Sequence, residues 1–567
     1  MRTILYILHR AIPRWVRIPP ILAQRGNGLS LRLDALVLLE EFVEQHRVHG
    51  IVADAIEGAV GVGRGLKAIT NKVKRPKQRF YTLPVHCFTK GAKGNRGGYL
   101  LDHPEKTDNL FRAGSHFRPL PNHPYMKTNC KSANSIPNSI ELLEERIAPA
   151  VLVNTLGHKL VVKGDNSGDT IQIDGVVGSP TDFTVTAGAA VSHVTGITDI
   201  AITLGNGNDS VVFSNGVAPI SISGSLVIDG GAGGKSVIGN GVTIGKNLMV
   251  SYGNAGTGAN HLTGFTNTTI EGNLTVHEGA ALASEVYMTR ASAGDSTIQG
   301  NVNITNGIGQ SVSIFQDMNI GGNVTITNGP AATSGANAGD AGDTQFYNTF
   351  NTTTLSVIKG NVDISYKSGV INYDGIWDAD VLGNVTINHG SGQAFTHFDG
   401  DGTHLADIIR GNLSLTGTGQ SIVAIGTGNS DTGLILGGAL KIASGNGGDV
   451  LTISKLTVGG TTSIAVGDGS NTTTIDDSVF AKAFNFRDAK GTDTIRIDTT
   501  SGTTLPTVFE QAATIVTGTG GAAAVTLGGA SAGEMVYAYS TFEVDELGGG
   551  VTNSTDIIFP FGGAVSA

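Results

Sequence analysis

Carboxylates, aromatic rings and a histidine recur at similar distances after a repeated glycine in the middle of the chain. Two groups follow Gly360 and Gly383 at offsets of 14 to 18 residues: Asp374, Trp377 and Asp378, then His397, Asp399 and Asp401. An aromatic ring, a guanidinium group and a carboxylate follow earlier copies of the repeat at similar offsets: Tyr287, Arg290 and Asp317. If successive copies stack, these side chains are expected to lie above one another on one face.

Two chemistries fit these residues. Paired carboxylates can cleave a glycosidic bond, one acting as acid and the other as base or nucleophile. Carboxylates beside aromatic rings can also bind a sugar without cleaving it. The candidate catalytic residues are Asp374, Asp378, Asp399, Asp401 and His397. The candidate ligand contacts are Trp377, Tyr287, Arg290 and Asp317.

Other features of the sequence weigh against catalysis. Pectin-degrading β-helix enzymes use such carboxylates, but residues 151–567 have no Gly-His-Gly, Arg-x-Lys or Asp-Asp group of the polygalacturonase kind. The Asp476-Asp477 pair stands elsewhere and lacks those partners. No G-x-S-x-G spelling stands in a strand–helix context, and no complete Walker-type G-x-x-x-x-G-K-[ST] loop occurs. We therefore favour a non-enzymatic role and keep a polysaccharide lyase or hydrolase as the alternative.

Two glycine-rich turns are candidates for calcium binding. Gly205 to Val211 and Gly445 to Leu451 partly match the nonapeptide of calcium-binding β-solenoids, with Asp209 and Asp449 at the acidic position. Neither copy is followed by another nine residues later, although such a site needs adjacent turns to share the ion. A calcium-stabilised solenoid is thus a second alternative, and ordinary turns that lead into strands are the simpler interpretation.

A short repeat predicts the fold. Its unit is aliphatic, any, Gly, Asn, aliphatic, any, aliphatic, as in Ile270 to Val276, and ten copies lie between Ile222 and Ile464. Apolar residues alternate with small polar ones, which is the signature of a strand with one buried face. The shortest spacing between copies is 22 residues, which is enough for one coil of a parallel β-helix and too short for a propeller blade.

An asparagine fills the same position in seven consecutive copies. These residues are Asn247, Asn273, Asn301, Asn323, Asn361, Asn384 and Asn412. Directly stacked coils would place their amides about 4.8 Å apart, where they can hydrogen-bond along the stack. The neighbouring glycine is expected to adopt a turn conformation closed to other residues.

Charge divides the chain near residue 150. Residues 1–150 carry 23 Lys and Arg against 12 Asp and Glu, whereas residues 151–567 carry 14 against 35. The first part holds both cysteines, so neither a disulfide framework nor a cysteine-based zinc site is expected in the body. We expect residues 1–139 to be a poorly structured leader, or an upstream extension of a chain that starts at Met126. No stretch is apolar enough for a membrane-spanning helix.

The segment 140–150 reads Ile-Glu-Leu-Leu-Glu-Glu-Arg-Ile-Ala-Pro-Ala. It resembles the L-E-x-R-x-x-P-A type segment near the start of large bacterial surface proteins of the planctomycete and verrucomicrobial type, the beta strand repeat proteins. In that family the segment precedes a repetitive β-rich extracytoplasmic region. The resemblance implies an extracellular or cell-surface location, although no standard signal peptide precedes the segment.

These observations predict an all-β chain built around a parallel β-helix of about ten coils. The expected divisions are a basic region at 1–139, the sorting-like motif at 140–150, an N-terminal β cap at 151–215, the β-helix at 216–486 and a C-terminal cap at 487–567. The expected role is structural or adhesive. Polysaccharide or another surface component is the expected partner, nucleic acid is not expected, and calcium is the one cofactor left open.

Overall fold

A computed structural model describes the second part of the chain. The described residues are 151–567 apart from 215–217, 257, 292–295, 332–339, 350–354, 369–370, 399–405, 427–432, 500–504, 519–522, 530–533, 547–549, 552–556, 559, 561–564 and 567. The predictions for residues 1–139 and 140–150 lie outside the described residues.

The described residues form strands and no helix. Those before residue 250 are β1 (Leu152–Leu156), β2 (Lys159–Lys163), β3 (Thr170–Val176), β4 (Ser179–Ala187), β5 (Ala190–Val194), β6 (Asp199–Thr203), β7 (Asp209–Ser214), β8 (Ile220–Ile222), β9 (Leu226–Gly231), β10 (Lys235–Asn240), β11 (Val242–Ile244) and β12 (Leu248–Tyr252). The next are β13 (His261–Thr266), β14 (Thr269–Ile270), β15 (Leu274–His277), β16 (Ala283–Thr289), β17 (Ser296–Ile298), β18 (Val302–Thr305), β19 (Gln310–Gln316), β20 (Met318–Ile320), β21 (Val324–Asn328), β22 (Asp340–Tyr347), β23 (Ser356–Ile358) and β24 (Val362–Tyr366).

The remaining strands follow the same order. They are β25 (Ile371–Ile376), β26 (Ala379–Val381), β27 (Val385–Asn388), β28 (Gln393–Phe398), β29 (Asp407–Ile409), β30 (Leu413–Thr416), β31 (Ser421–Ile425), β32 (Leu434–Leu436), β33 (Leu440–Ala443), β34 (Val450–Ser454), β35 (Leu456–Val458) and β36 (Thr462–Val466). The last are β37 (Thr472–Asp476), β38 (Val479–Phe480), β39 (Phe484–Asp488), β40 (Thr494–Ile497), β41 (Thr507–Phe509), β42 (Ala513–Thr517), β43 (Ala524–Leu527), β44 (Val536–Ala538), β45 (Phe542–Glu546), β46 (Gly550–Val551), β47 (Ile557–Ile558) and β48 (Val565–Ser566).

Successive strands wind into a parallel β-helix, which confirms the predicted fold class. From β6 onward, every third strand joins the same sheet, so that each coil gives one strand to sheet A (β6, β9, β12 and so on), one to sheet B (β7, β10, β13) and one to sheet C (β8, β11, β14). Each strand pairs in parallel with its equivalents in the coils before and after it, as β15 does with β12 and β18.

Parallel strand pairing extends beyond the recognisable sequence repeats towards both the N-terminus and the C-terminus. β6 already pairs in parallel with β9, before residue 216. After residue 486, β42 pairs in parallel with β39 and then with β45. Antiparallel pairs occur at the N-terminal end, where β1 pairs with β2 and β3–β4–β5 form a meander. The coil architecture therefore covers more of the chain than its sequence signature does.

A single apolar core runs inside the coils. The aliphatic positions of each repeat point inward and are almost fully buried, as are Leu274 and Val276 on β15. Towards the C-terminus phenylalanines take over this role, and Phe509 packs against Phe484 and Phe542 with ring centroids 5.0 and 5.4 Å apart. No single coil can bury its apolar face alone, so the coils stabilise one another.

The Gly-Asn pair lies at the corner that leads into sheet A. The side-chain Oδ1 of each asparagine accepts a hydrogen bond from the backbone N–H of the equivalent residue in the next coil, at 2.8 Å from Asn301 to Asn323 and from Asn323 to Asn361. The ladder is therefore mostly amide to backbone. One amide-to-amide contact joins Asn384 to Asn361 at 3.2 Å.

The glycine has a different role from the one expected. Glycines such as Gly300 and Gly360 do not have a positive φ, so they are not needed for a special turn. A Cβ atom on Gly360 would instead lie 2.6 Å from the backbone N of Asn323 and 2.5 Å from its Oδ1. Close approach of stacked coils, rather than backbone conformation, requires glycine at this corner.

Gly360→Ala should destabilise the solenoid by about 1–3 kcal/mol, because the added methyl group must push two stacked coils apart. The matched control is Gly264→Ala on β13, where the nearest atom to a new Cβ is 4.0 Å away and the conformation suits alanine. The control should be neutral or slightly stabilising. Urea unfolding of both variants measures the difference, and equal midpoints would contradict the stacking argument.

Candidate functional site

Six aromatic side chains cluster on the outer side of sheet B. We call this surface the aromatic face, and its members are Tyr287, Tyr347, Tyr373, Trp377, Phe395 and His397. They come from β16, β22, β25 and β28 or the residue after a strand, so the face spans five coils, including β19. All six are partly exposed, and Tyr373 is 37% exposed. Three of the residues predicted from the sequence, namely Tyr287, Trp377 and His397, are among them.

The rings of the aromatic face hold one another in place. Trp377 meets Tyr347 and His397 edge to face, with centroids 6.1 and 6.0 Å away. The indole lies over Gly375, where a Cβ atom would collide with three of its ring carbons. Tyr373 and Phe395 stack beside it at 6.3 Å. Because Gly375 has no side chain, Trp377 lies against the sheet as a fixed platform.

Acidic and amide groups flank these rings. Glu285 and Asp343 point outward on β16 and β22, and Gln345 donates to both Asp343 oxygens at 2.8 and 3.0 Å. Burial and the carboxylates of Glu285 and Asp343 raise the pKa of Tyr287. The face therefore combines flat apolar rings with hydrogen-bonding groups and negative charge.

A shallow depression adjoins the aromatic face at Glu285. Its volume is about 320 Å³, and its wall includes Asn208, Ser236, Asn260, Leu262 and Glu285. Its lining residues are mostly polar, but most of the surface that they present is apolar. The depression therefore lies on the N-terminal side of the face.

Asp374, by contrast, lies inside the solenoid. It pairs with Thr396, whereas His397 pairs with Gly375, so counting from the repeat glycine misplaces Asp374 by one residue. A shift of one residue moves a side chain to the opposite face of a strand. Asp374 is 1% exposed, accepts a hydrogen bond from the Tyr366 hydroxyl at 2.5 Å, and contacts His389 Nε2 at 2.7 Å.

Asp317 and Asp378 occupy the corner between sheets B and C. Both have left-handed backbone conformations, with φ of 54° and 57°. Asp317 accepts hydrogen bonds from the backbone N–H and hydroxyl of Thr349 at 2.8 and 2.9 Å, so its carboxylate supports the corner. Asp378 is 2% exposed. Arg290 is partly exposed and follows β16 at the same corner.

The candidate residues are thus only partly brought together. Tyr287, Trp377 and His397 share the outer face, Asp374 is internal, and Asp317 and Asp378 are corner residues. Asp399 and Asp401 lie outside the described residues.

A row of buried polar side chains lies at the end of several sheet A strands, six residues after the glycine position of the repeat or its equivalent in a later coil. It comprises Tyr252, Glu278, Asn306, Asn328, Tyr366, His389 and Asp488, each at most 3% exposed. Asn306 donates to Asn328 at 2.7 Å, and Thr396 contacts His389 at 3.0 Å. The sequence analysis missed this row, although its fixed offset from the repeat was a usable signal.

At the first calcium candidate, the carboxylate of Asp209 forms an ion pair with a lysine. Lys235 Nζ lies 2.6 Å from Asp209 Oδ2 and donates to the carbonyls of Gly207 and Ala232 at 2.6 and 2.5 Å. The other oxygen of Asp209 accepts the backbone N–H of Asp169 at 2.8 Å. Both charged side chains are fully buried. An ammonium group thus holds the oxygens that a calcium ion would need.

At the second candidate, protein donors surround Asp449. Its oxygens accept the backbone N–H of Ser421 at 2.8 Å and the hydroxyl of Ser444 at 2.6 Å. Within the described part of the chain, no group of three or more His, Cys, Asp or Glu side chains is arranged to hold a metal ion. Calcium binding stays a prediction that these contacts do not support.

Three buried carboxyl groups have strongly raised pKa values. Burial raises the pKa of Glu278 to about 7. Burial and a hydrogen bond shared with Asp493 raise the pKa of Asp488 to about 7. Burial, with the nearby Asp476 and Asp477, raises the pKa of Asp498 to about 7. Between about pH 4 and pH 7, these carboxyl groups therefore keep protons in the folded chain that they would release in the unfolded chain.

Comparisons with known proteins add no relative. No protein-family model matches the chain, and searches of curated proteins and of solved structures find no match. The described residues also contain no helix of the length and hydrophobicity needed to cross a bilayer.

Lys235→Met should destabilise the folded chain by about 3–5 kcal/mol, because it leaves the buried Asp209 carboxylate without its counter-charge. Lys441→Met, on the exposed side of sheet A, is the control and should change stability by less than about 0.5 kcal/mol. Denaturant unfolding measures both. A Lys235→Met chain as stable as the control would show that the ion pair is not what stabilises these coils.

Stability should fall as pH rises from about 4 to about 7. The ordinary pKa values of the three raised carboxyls are 4.5 for Glu278 and 3.8 for Asp488 and Asp498, so the unfolded chain loses these protons first. His261 acts in the opposite direction, because burial lowers its pKa from 6.5 to about 4. Three groups outweigh one, so the melting temperature should decline across this interval.

The variant Asp498→Asn should flatten this pH dependence, since it removes one of the three titrating groups. Asp363→Asn, at an exposed position of sheet A, should leave the dependence unchanged. Thermal melts at several pH values measure the slope. A melting temperature that rises between about pH 4 and pH 7 would contradict the protonated interior.

Proposed function

We propose that the solenoid is a non-enzymatic scaffold that binds carbohydrate on its aromatic face. The observation that carries the proposal is the Trp377 platform, which is fixed over Gly375 and bordered by Tyr347 and His397. Flat rings beside carboxylate and amide groups suit a sugar ring, which has apolar C–H faces and a polar edge. Residues on successive coils offer many weak contacts to one extended ligand.

The position of the acidic residues favours binding over cleavage. Of the candidate catalytic carboxylates that the structure describes, Asp374 is buried against Tyr366 and His389, and Asp378 is 2% exposed at a corner. A general acid must reach the glycosidic oxygen within hydrogen-bonding distance. Neither residue does so from its place in the fold.

A structural or adhesive role at the cell surface is the wider context we propose. It is supported by the resemblance of residues 140–150 to the segment of bacterial surface proteins and by the acidic, cysteine-free body. A stack of coils with one continuous core presents its outer side chains at fixed spacings, which suits adhesion to a repetitive polymer.

Trp377→Ala should weaken binding to polysaccharide at least tenfold, because truncation of a central aromatic contact typically costs about 2 kcal/mol. The full chain is incubated with a panel of insoluble polysaccharides and depletion from solution is measured. Tyr539→Ala is the matched control, since Tyr539 is a 39% exposed aromatic residue outside the face. It should bind as the unaltered chain does.

A reducing-end assay on the same samples separates binding from cleavage. We expect no release of reducing ends beyond that of a protein-free sample. Steady release that Trp377→Ala abolishes would support the lyase or hydrolase alternative. Equal binding by Trp377→Ala and Tyr539→Ala would show that the aromatic face is not the binding surface.

A further inference from the structure

The charged side chains on the outward rows of the aromatic face are both acidic. Glu285 and Asp343 belong to the outward rows of β16 and β22, beside Tyr287 and Tyr347. Arg290, the basic residue that follows β16 in the sequence, lies at the corner and not on these rows. Residues 151–567 as a whole carry 35 acidic against 14 basic side chains. Like charges placed together on binding are unfavourable.

The aromatic face extends along the direction in which coils stack. Tyr287 lies level with Ile314, which is level with Gln345, then Gly375 and His397. Four steps at about 4.8 Å give a track of about 19 Å. Tyr347 and Trp377 form a parallel row two residues further along the chain than Gln345 and Gly375. The face can therefore contact several consecutive sugar rings of a polymer that runs across the strands.

We propose that the ligand of the aromatic face is an uncharged polysaccharide, bound across successive coils, and not a polymer of uronic acid or sulfated sugar. This inference rests on the proposed carbohydrate-binding function and specifies its ligand. Stacking on Trp377, Tyr347 and Tyr373 supplies contacts that need no charge. Glu285 and Asp343 can accept hydrogen bonds from sugar hydroxyl groups, and Gln345 can donate or accept them. The two carboxylates would repel a carboxylate or sulfate group on the ligand.

The chain contains its own reporter for this site. Trp377 is one of only two tryptophans, and the other, Trp15, lies in the basic N-terminal region. In a Trp15→Phe background, fluorescence reports the environment of Trp377 alone. Titration with soluble neutral oligosaccharides and with oligogalacturonate of similar length gives the two affinities directly.

Neutral oligosaccharide should bind at least tenfold more tightly than oligogalacturonate. Its affinity should change less than about twofold when salt is raised from about 0.05 to 0.5 M, because no ion pairing is involved. The double variant Glu285→Gln and Asp343→Asn should raise the affinity for oligogalacturonate about threefold, since it removes two repelling charges. Depletion measurements in parallel verify that the fluorescence change reports binding.

The two levels of the proposal fail in different ways. Equal or tighter binding of oligogalacturonate, or no gain in the double variant, overturns the assignment to uncharged polymers but leaves carbohydrate binding intact. No response to any glycan, with a folded protein by thermal melting, overturns the carbohydrate-binding function itself. Tenfold preference for neutral glycan together with the gain in the double variant establishes both.

Discussion

The close stacking of coils at the Gly-Asn corner is the constraint on which the rest of the solenoid depends. At this corner the backbone of each coil lies so near the previous one that Gly300 has no room for a Cβ atom. The asparagine beside it accepts a backbone N–H from the next coil and so fixes one coil on another. Because register is set there, aliphatic residues stay in the core and every third strand presents the same outward rows.

The sequence could predict the coil and its strands because the repeat encodes both locally. Alternation marks the buried face, and the 22-residue spacing limits the architecture. It could not predict how far the coils extend. Beyond residue 486, Phe509 and Phe542 continue the interior that Phe484 begins, without any Gly-Asn corner, and parallel pairing continues through them. Large aromatic rings replace several aliphatic contacts, so the same fold continues with a different sequence pattern.

The candidate site was only partly predictable for a related reason. Coils differ in length between the repeat and sheet B, so that His397 stands 14 residues after its glycine but the equivalent Gly375 stands 15 after its own. That difference of one puts Asp374 in the interior and leaves Trp377 and His397 outside. Tyr347, Tyr373 and Phe395 were not among the predicted residues, and the pairing of strands shows that they share a surface.

The buried ion pair of Lys235 and Asp209 has a consequence for folding specificity. Aliphatic coils resemble one another closely, so a chain could pair each coil with the wrong neighbour and still bury an apolar interior. Such a slip would place the ammonium group beside an uncharged partner, at a large energetic penalty. Tyr366, Asp374 and His389 mark another coil in the same way. These internal polar groups therefore favour one stacking order among coils that otherwise resemble one another.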